Sequence, residues 1–233
     1  MRMAAPAIEL RWGANWPARE KTYSQSIFEE ALDITRSAAL NFELETSIPK
    51  AATFVKMHPW HDSLGEAISA TDFKLFIEKQ LVRNRRLEQI IKKLGVVGFH
   101  EYLHCVRQET HYALDIVEFT ATEGIAHIGE AELGTSIDMH DYISEEDCIP
   151  AWTSQEIMQH TDMLYKDVAA QRKNCVDLSV EDPFHDKWFN DDIEGFETSL
   201  GVALGIHHVR MRILEGANLS SLVSQPAEEI IQS

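Results

Sequence analysis

The sequence predicts an α+β fold that is mainly helical, with a small N-terminal sheet, a central helix bearing His-Glu-x-x-His, and a C-terminal helical part. Three observations carry that prediction. Long segments repeat apolar residues at three- and four-residue spacing, two short β-rich runs stand near the N-terminus, and 44% of 233 residues are hydrophobic, enough to bury a core in one domain. The expected organisation is a single domain over residues 1–233, with a mixed part to about residue 95 and the helical part from about 96 onward.

The first helix is read from Tyr23 to Leu40, where Ile27, Ala31, Ile34 and Ala38 share one face. Extended stretches are expected at residues 51–57 and 73–78, whose aromatic and aliphatic residues suit a pleated surface. Between them, His58-Pro59-Trp60-His61-Asp62 has metal-ligand residue types, but the proline breaks any helical register, so a surface loop is expected. Helices follow at residues 82–94, 97–107, 113–133, 155–172 and 192–215. Gly134 is placed as the stop of the third of these. Residues 177–192 read as a loop anchored by Phe184, Trp188 and Phe189, and the tail from Asn218 as frayed or a short helix.

Chemistry concentrates in Phe99-His100-Glu101-Tyr102-Leu103-His104-Cys105-Val106. On a helix, residues four apart leave the same face one turn from each other, so the imidazoles of His100 and His104 can hold one metal ion. Glu101, beside the first of them, is placed to take a proton from water. Apolar Phe99, Cys105 and Val106 are what a helix packed into a core requires. On the next helix, Glu123 falls near a stripe formed by Ile116, Phe119, Thr120, Ala126 and Glu130. A carboxylate aimed at an apolar side needs a cation or must neutralise, which makes Glu123 the third ligand. His127 and Glu130 continue the same face as alternative ligands or as residues that orient one.

These segments resemble the YjaZ-like predicted zinc-dependent proteases, of the gluzincin type with a glutamate third ligand. The matching elements are His100-Glu101-Tyr102-Leu103-His104-Cys105-Val106-Arg107, Glu123-Gly124-Ile125-Ala126, Glu130-Ala131-Glu132-Leu133-Gly134 and Pro150-Ala151-Trp152, covering roughly residues 95 to 155. The resemblance implies a zincin-like domain, Zn²⁺ on His100, His104 and Glu123, Glu101 as general base, and Tyr102 and Arg107 in support. It also implies a C-terminal Gly-Tyr followed by glycine inside a helix, where this chain has Gly195-Phe196, Gly201 and Gly205. The implied activity is peptide-bond hydrolysis by a metal-activated water, with a peptide or protein as substrate. Candidates for a second electrophile at the oxyanion are Tyr165, His185, His207 and His208, with His127 as a possible supporting residue.

Two other readings have residues behind them. Glu101, His104, Glu123, His127 and Glu130 are donor types of a non-haem di-iron oxidase, though no Glu-x-x-His stands on the last helix to complete the set. A catalytically inert module keeping the zincin-like fold is the other, supported by Phe196 where the family carries tyrosine.

The formal net charge of -17 argues against nucleic acid and anionic membrane as partners, since phosphate binding needs clustered cations. Cys105, Cys148 and Cys175 are odd in number and widely spaced, so no disulfide framework is expected. Charged residues from Glu9 to Lys21 leave no apolar signal segment, and a cytoplasmic location is expected.

Overall fold

The structure, a computed structural model, describes residues 6–14, 16–44, 48–56, 65–77, 87–111, 115–137, 139, 149–173, 183–196 and 198–232. The fold is mixed α/β and mainly helical. The chain falls into two compact units: Met1–Glu109 with Glu132–Asp141, and Thr110–Ala131 with Tyr142–Ser233.

The first unit holds the sheet. Its described strands are β1 (Ile8–Trp12), β2 (Lys50–Lys56), β3 (Gly65–Ala67) and β4 (Asp72–Ile77), in the order β1-β2-β4-β3. β1 pairs parallel to β2 with Ile8 opposite Lys50, and β2 parallel to β4 with Ala51 opposite Asp72. β3 runs antiparallel to β4, with Gly65 opposite Leu75. A parallel pair needs a crossover, and α1 (Ala18–Asn41) supplies it between β1 and β2. Ala51, Ala52 and Phe54 of β2 and Phe73, Leu75, Phe76 and Ile77 of β4 are buried. Phe28 of α1 stacks on Phe54, ring centroids 4.1 Å apart.

The His-Glu-x-x-His segment lies on α2 (Leu87–Arg107), packed on α1, β3 and β4. Two glycines permit the approach to α1. A Cβ on Gly95 would come 2.7 Å from the Ile34 side chain, and one on Gly98 would come 2.8 Å from Thr35 Oγ1. Thr35 Oγ1 donates a hydrogen bond of 3.1 Å to the Gly95 carbonyl. The break expected between residues 94 and 97 is therefore absent. Gly95, which falls in the expected gap, serves close helix packing, and one helix runs from Leu87 to Arg107.

The second unit is built on α3 (Ile116–Ser136), α4 (Ser154–Lys173), α5 (Pro183–His185) continuing as a π-helical turn (Asp186–Asn190), α6 (Leu200–Leu214), α7 (Leu219–Ser224) and α8 (Ala227–Ile230). The last turn of α3 is part of the first unit. Asp115 Oδ1 accepts from the Glu118 amide at 3.1 Å and so starts α3. Thr153 and Glu156 exchange a capping box at the start of α4: the Thr153 amide donates to Glu156 Oε2 at 2.7 Å, and the Glu156 amide to Thr153 Oγ1 at 3.3 Å.

Backbone contact joins α3 to α6. A Cβ on Gly124 would lie 2.3 Å from the Gly205 carbonyl carbon, and one on Gly205 would lie 2.1 Å from the Thr120 oxygen. Neither obstacle is a flexible side-chain end. Gly124→Ala is expected to force the helices apart and destabilise the protein by about 3 kcal/mol, read from the urea midpoint. An unchanged midpoint would mean that the two helices do not need this approach.

Several expectations change. The third helix runs through Gly134 to Ser136, and nearly all of Ala121–Glu130 is buried, so its burial is not confined to one stripe. The helix expected over 192–215 begins only at Leu200. Before it, Gly195 takes a φ of 86° and Asp192 bridges Ser199, so Gly195-Phe196 sits in a turn rather than inside a helix. In the acidic connection, residues 183–190 are helical, anchored by a fully buried Trp188 whose Nε1 donates to Asp167 Oδ2 at 2.9 Å. The tail is docked, with Leu219, Leu222, Ala227, Ile230 and Ile231 all buried. His58 to Asp62, Cys148 and Cys175 lie outside the described residues. No helix among the described residues is long and apolar enough to cross a membrane.

Candidate metal centre

In the first unit, α2 turns His100 and His104 toward each other. Their Nε2 atoms are 3.1 Å apart and their ring centroids 4.9 Å, with planes inclined at 37°. Two imidazole nitrogens this close either share a proton or direct both lone pairs at one cation. Ligands at about 2.0–2.1 Å around a tetrahedral zinc stand about 3.3 Å from each other, so the spacing suits two nitrogens on one ion. His104 is buried and His100 half-buried.

Glu101 is 7% exposed and its carboxylate lies against β3. A Cβ on Gly65 would stand 2.4 Å from Glu101 Oε1 and 2.6 Å from its Cγ. The bare backbone at Gly65 thus makes the room that this carboxylate occupies. No sequence signal points to Gly65, which is remote from the motif along the chain. Gly65→Ala is expected to displace Glu101 and destabilise the protein by about 1–3 kcal/mol, read from the urea midpoint. An unchanged midpoint would show that the carboxylate has room to move.

Behind the motif helix the environment is apolar. Burial raises the Tyr102 phenol well above its ordinary value, with Glu109 adding to the effect, and pushes the Cys105 thiol up to about 12. The Tyr102 hydroxyl is buried without a hydrogen-bond partner among the described residues. Cys105 Sγ faces the Asp72 carbonyl at 3.8 Å. Cys105 is therefore a core thiol, held protonated at neutral pH. Arg107 is fully buried.

In the second unit, α3 carries Glu123, His127 and Glu130 at i, i+4 and i+7. His127 Nε2 is 3.7 Å from Glu123 Oε2, and His127 Nδ1 is 3.5 Å from Glu130 Oε2. The imidazole thus stands between two carboxylates, all three side chains at most 14% exposed. Burying two carboxylates is costly without a cation, whether an imidazolium or a metal.

Three of the remaining candidates, Tyr165, His207 and His208, have polar atoms engaged elsewhere in this unit. Tyr165 donates its hydroxyl hydrogen to the Ile231 carbonyl at 2.6 Å. His207 Nε2 lies 2.8 Å from the Pro150 carbonyl, and His208 Nε2 lies 2.8 Å from Thr161 Oγ1. His185 contacts the rings of Phe119 and Phe189 at centroid distances of 5.7 and 5.5 Å.

No known family matches the chain, and no curated protein or solved structure is significantly similar to it.

Proposed function

We propose that the protein is a zinc-dependent peptidase of the YjaZ-like, gluzincin type, with His100, His104 and Glu123 as ligands to one zinc ion and Glu101 as general base. The observation that carries the reading is the 3.1 Å approach of the two Nε2 atoms on one buried helix, with the carboxylate of Glu101 seated beside them. Neutral imidazoles and a carboxylate are the donor set of a zinc site that keeps an open position for water. Bound there, zinc supplies a water acidic enough to ionise near neutral pH and a Lewis acid for the scissile carbonyl.

The chain's own residues do the rest. Glu101 accepts the proton of the attacking water and returns it to the leaving amine, a task that needs a carboxylate fixed in place, as packing against Gly65 fixes it. His127 orients Glu123 and so sets the ligand's direction, as residues behind a metal ligand commonly do. Tyr165, His207 and His208 receive no step. The inferred substrate is a peptide or protein.

The test is zinc occupancy in two variants. Glu123→Ala is expected to weaken zinc binding by about 10²-fold or more, whereas Glu130→Ala leaves it within about tenfold. Equal losses would make Glu130 as much a ligand as Glu123 and overturn the assignment. Chelation of the wild type is expected to abolish peptide hydrolysis, and added zinc to restore it. A chelated protein that still cleaves would refute the metal's role.

A further inference from the structure

The second unit holds a histidine cluster for which the proposed hydrolysis has no use. His160 of α4 and His207 of α6 flank the indole of Trp152, at centroid distances of 4.5 and 5.1 Å and interplanar angles of 38° and 27°. Because the Pro150 carbonyl only accepts, the 2.8 Å contact to His207 places a hydrogen on its Nε2. The next residue, His208, is 7% exposed. Its Nε2 meets Thr161 Oγ1 at 2.8 Å, and that hydroxyl spends its one hydrogen on the Ile157 carbonyl at 2.7 Å. Thr161 therefore accepts from His208, and a second proton on the ring must enter at Nδ1.

Among the described residues, a charge arriving there meets no compensation. The ionisable groups acting on His208 are His207 and Arg212, both of its own sign, and burial pushes the imidazole down to about 4. His207 is lowered by burial, with Arg210 acting in the same direction, and His160 is lowered by burial against the attraction of Glu156. On α3, which also packs on α6, Glu123 and Glu130 stand on either side of His127 and Glu118 lies by Thr122; the described carboxylates of the other packed elements are engaged elsewhere or exposed. Glu228 of α8 pairs with Arg172 at 2.9 Å, Asp167 of α4 pairs with Lys187, and Asp186 accepts from Asn190 at 2.6 Å. Glu229 offers Arg212 its backbone carbonyl, and Asp162 is exposed.

We propose that His208, together with His160 and His207 gripping Trp152, is an acid-operated latch whose protonation releases the α4–α6 contact and the Pro150–Trp152 segment while the sheet of the first unit stays folded. The direction follows from linkage. A histidine whose folded value lies below its ordinary 6.5 leaves stability untouched above that pH, since both states are neutral there. Stability is then lost as pH falls from 6.5 toward 4, because the opened form takes the proton first, and the loss is complete below.

The experiment follows the imidazole resonances of the full-length protein together with amide hydrogen exchange, corrected for intrinsic rates, between pH 7 and pH 4. His208 is expected to titrate near 4. Exchange in residues 150–165 and 200–214 is expected to rise about tenfold or more by pH 4.5, with β2 and β4 unchanged. His208→Gln keeps a donor for Thr161 and has no proton to gain, so its exchange should stay at the neutral-pH level. A rise as large in His208→Gln as in the wild type, no rise in the wild type, or a simultaneous rise in β2 and β4 would each overturn the latch. Should the variant fail to fold, the wild type decides: a His208 titration unaccompanied by exchange in these segments overturns it equally.

Discussion

Glu101→Gln is expected to lower peptide hydrolysis by about 10²–10⁴-fold while zinc content stays at the wild-type level. Glutamine has nearly the shape of glutamate, so it fills the space beside Gly65 without disturbing α2. What it lacks is a lone pair basic enough to hold a proton during attack. His100 and His104 stay one turn apart on the same face of α2, so their 3.1 Å approach is expected to persist. Loss of hydrolysis together with loss of zinc would instead make Glu101 part of the binding set. Undiminished hydrolysis would place the base elsewhere.

The largest stability effect is expected at the far end of the same helix. Lys50, at the start of β2, has a side chain with no exposed surface, and its ammonium pairs with Glu109, 11% exposed, just beyond the end of α2. Removing the carboxylate leaves a buried cation without its partner. Glu109→Ala is therefore expected to cost about 3–5 kcal/mol of unfolding free energy, measured by denaturant titration. The double variant Lys50→Met, Glu109→Leu should recover most of that loss, because apolar groups of similar volume do not have to be desolvated as ions. A double variant as unstable as the single one would show that the pair does more than neutralise itself.

The long helices were legible because their apolar residues recur over many turns: the structure extends two of them by a few residues at each end, Ala18–Asn41 and Ser154–Lys173, and shifts the third three residues along the chain, to Ile116–Ser136. β2 and β4 were legible for a similar reason, being runs of buried β-formers. β1 was missed although Ile8-Glu9-Leu10-Arg11-Trp12 alternates, since five residues among charges carry little weight. β3 is Gly-Glu-Ala and takes its extended form from pairing with β4, a tertiary effect no local propensity records. Glycine was the least readable residue. Gly134 looked like a helix end and is interior, Gly95 fell between two expected helices and is interior too, whereas Gly195 looked interior and forms a turn with positive φ. At Gly95 what decides is a neighbour distant in sequence, Ile34.

The same division holds at the site. The spacing of His100 and His104, and of Glu123, His127 and Glu130, is helical, so their mutual approach within each helix could be read from positions alone. The contact between Glu101 and Gly65, and the burial of Lys50 against Glu109, join residues far apart in the chain and left no trace in local pattern.

Metal content of the protein purified without added metals tests the central claim most directly. One zinc per chain is the predicted result, lost in His100→Ala and His104→Ala. Two irons per chain would contradict it in favour of an oxidase built on the same glutamates and histidines, and the absence of stoichiometric metal would contradict it outright.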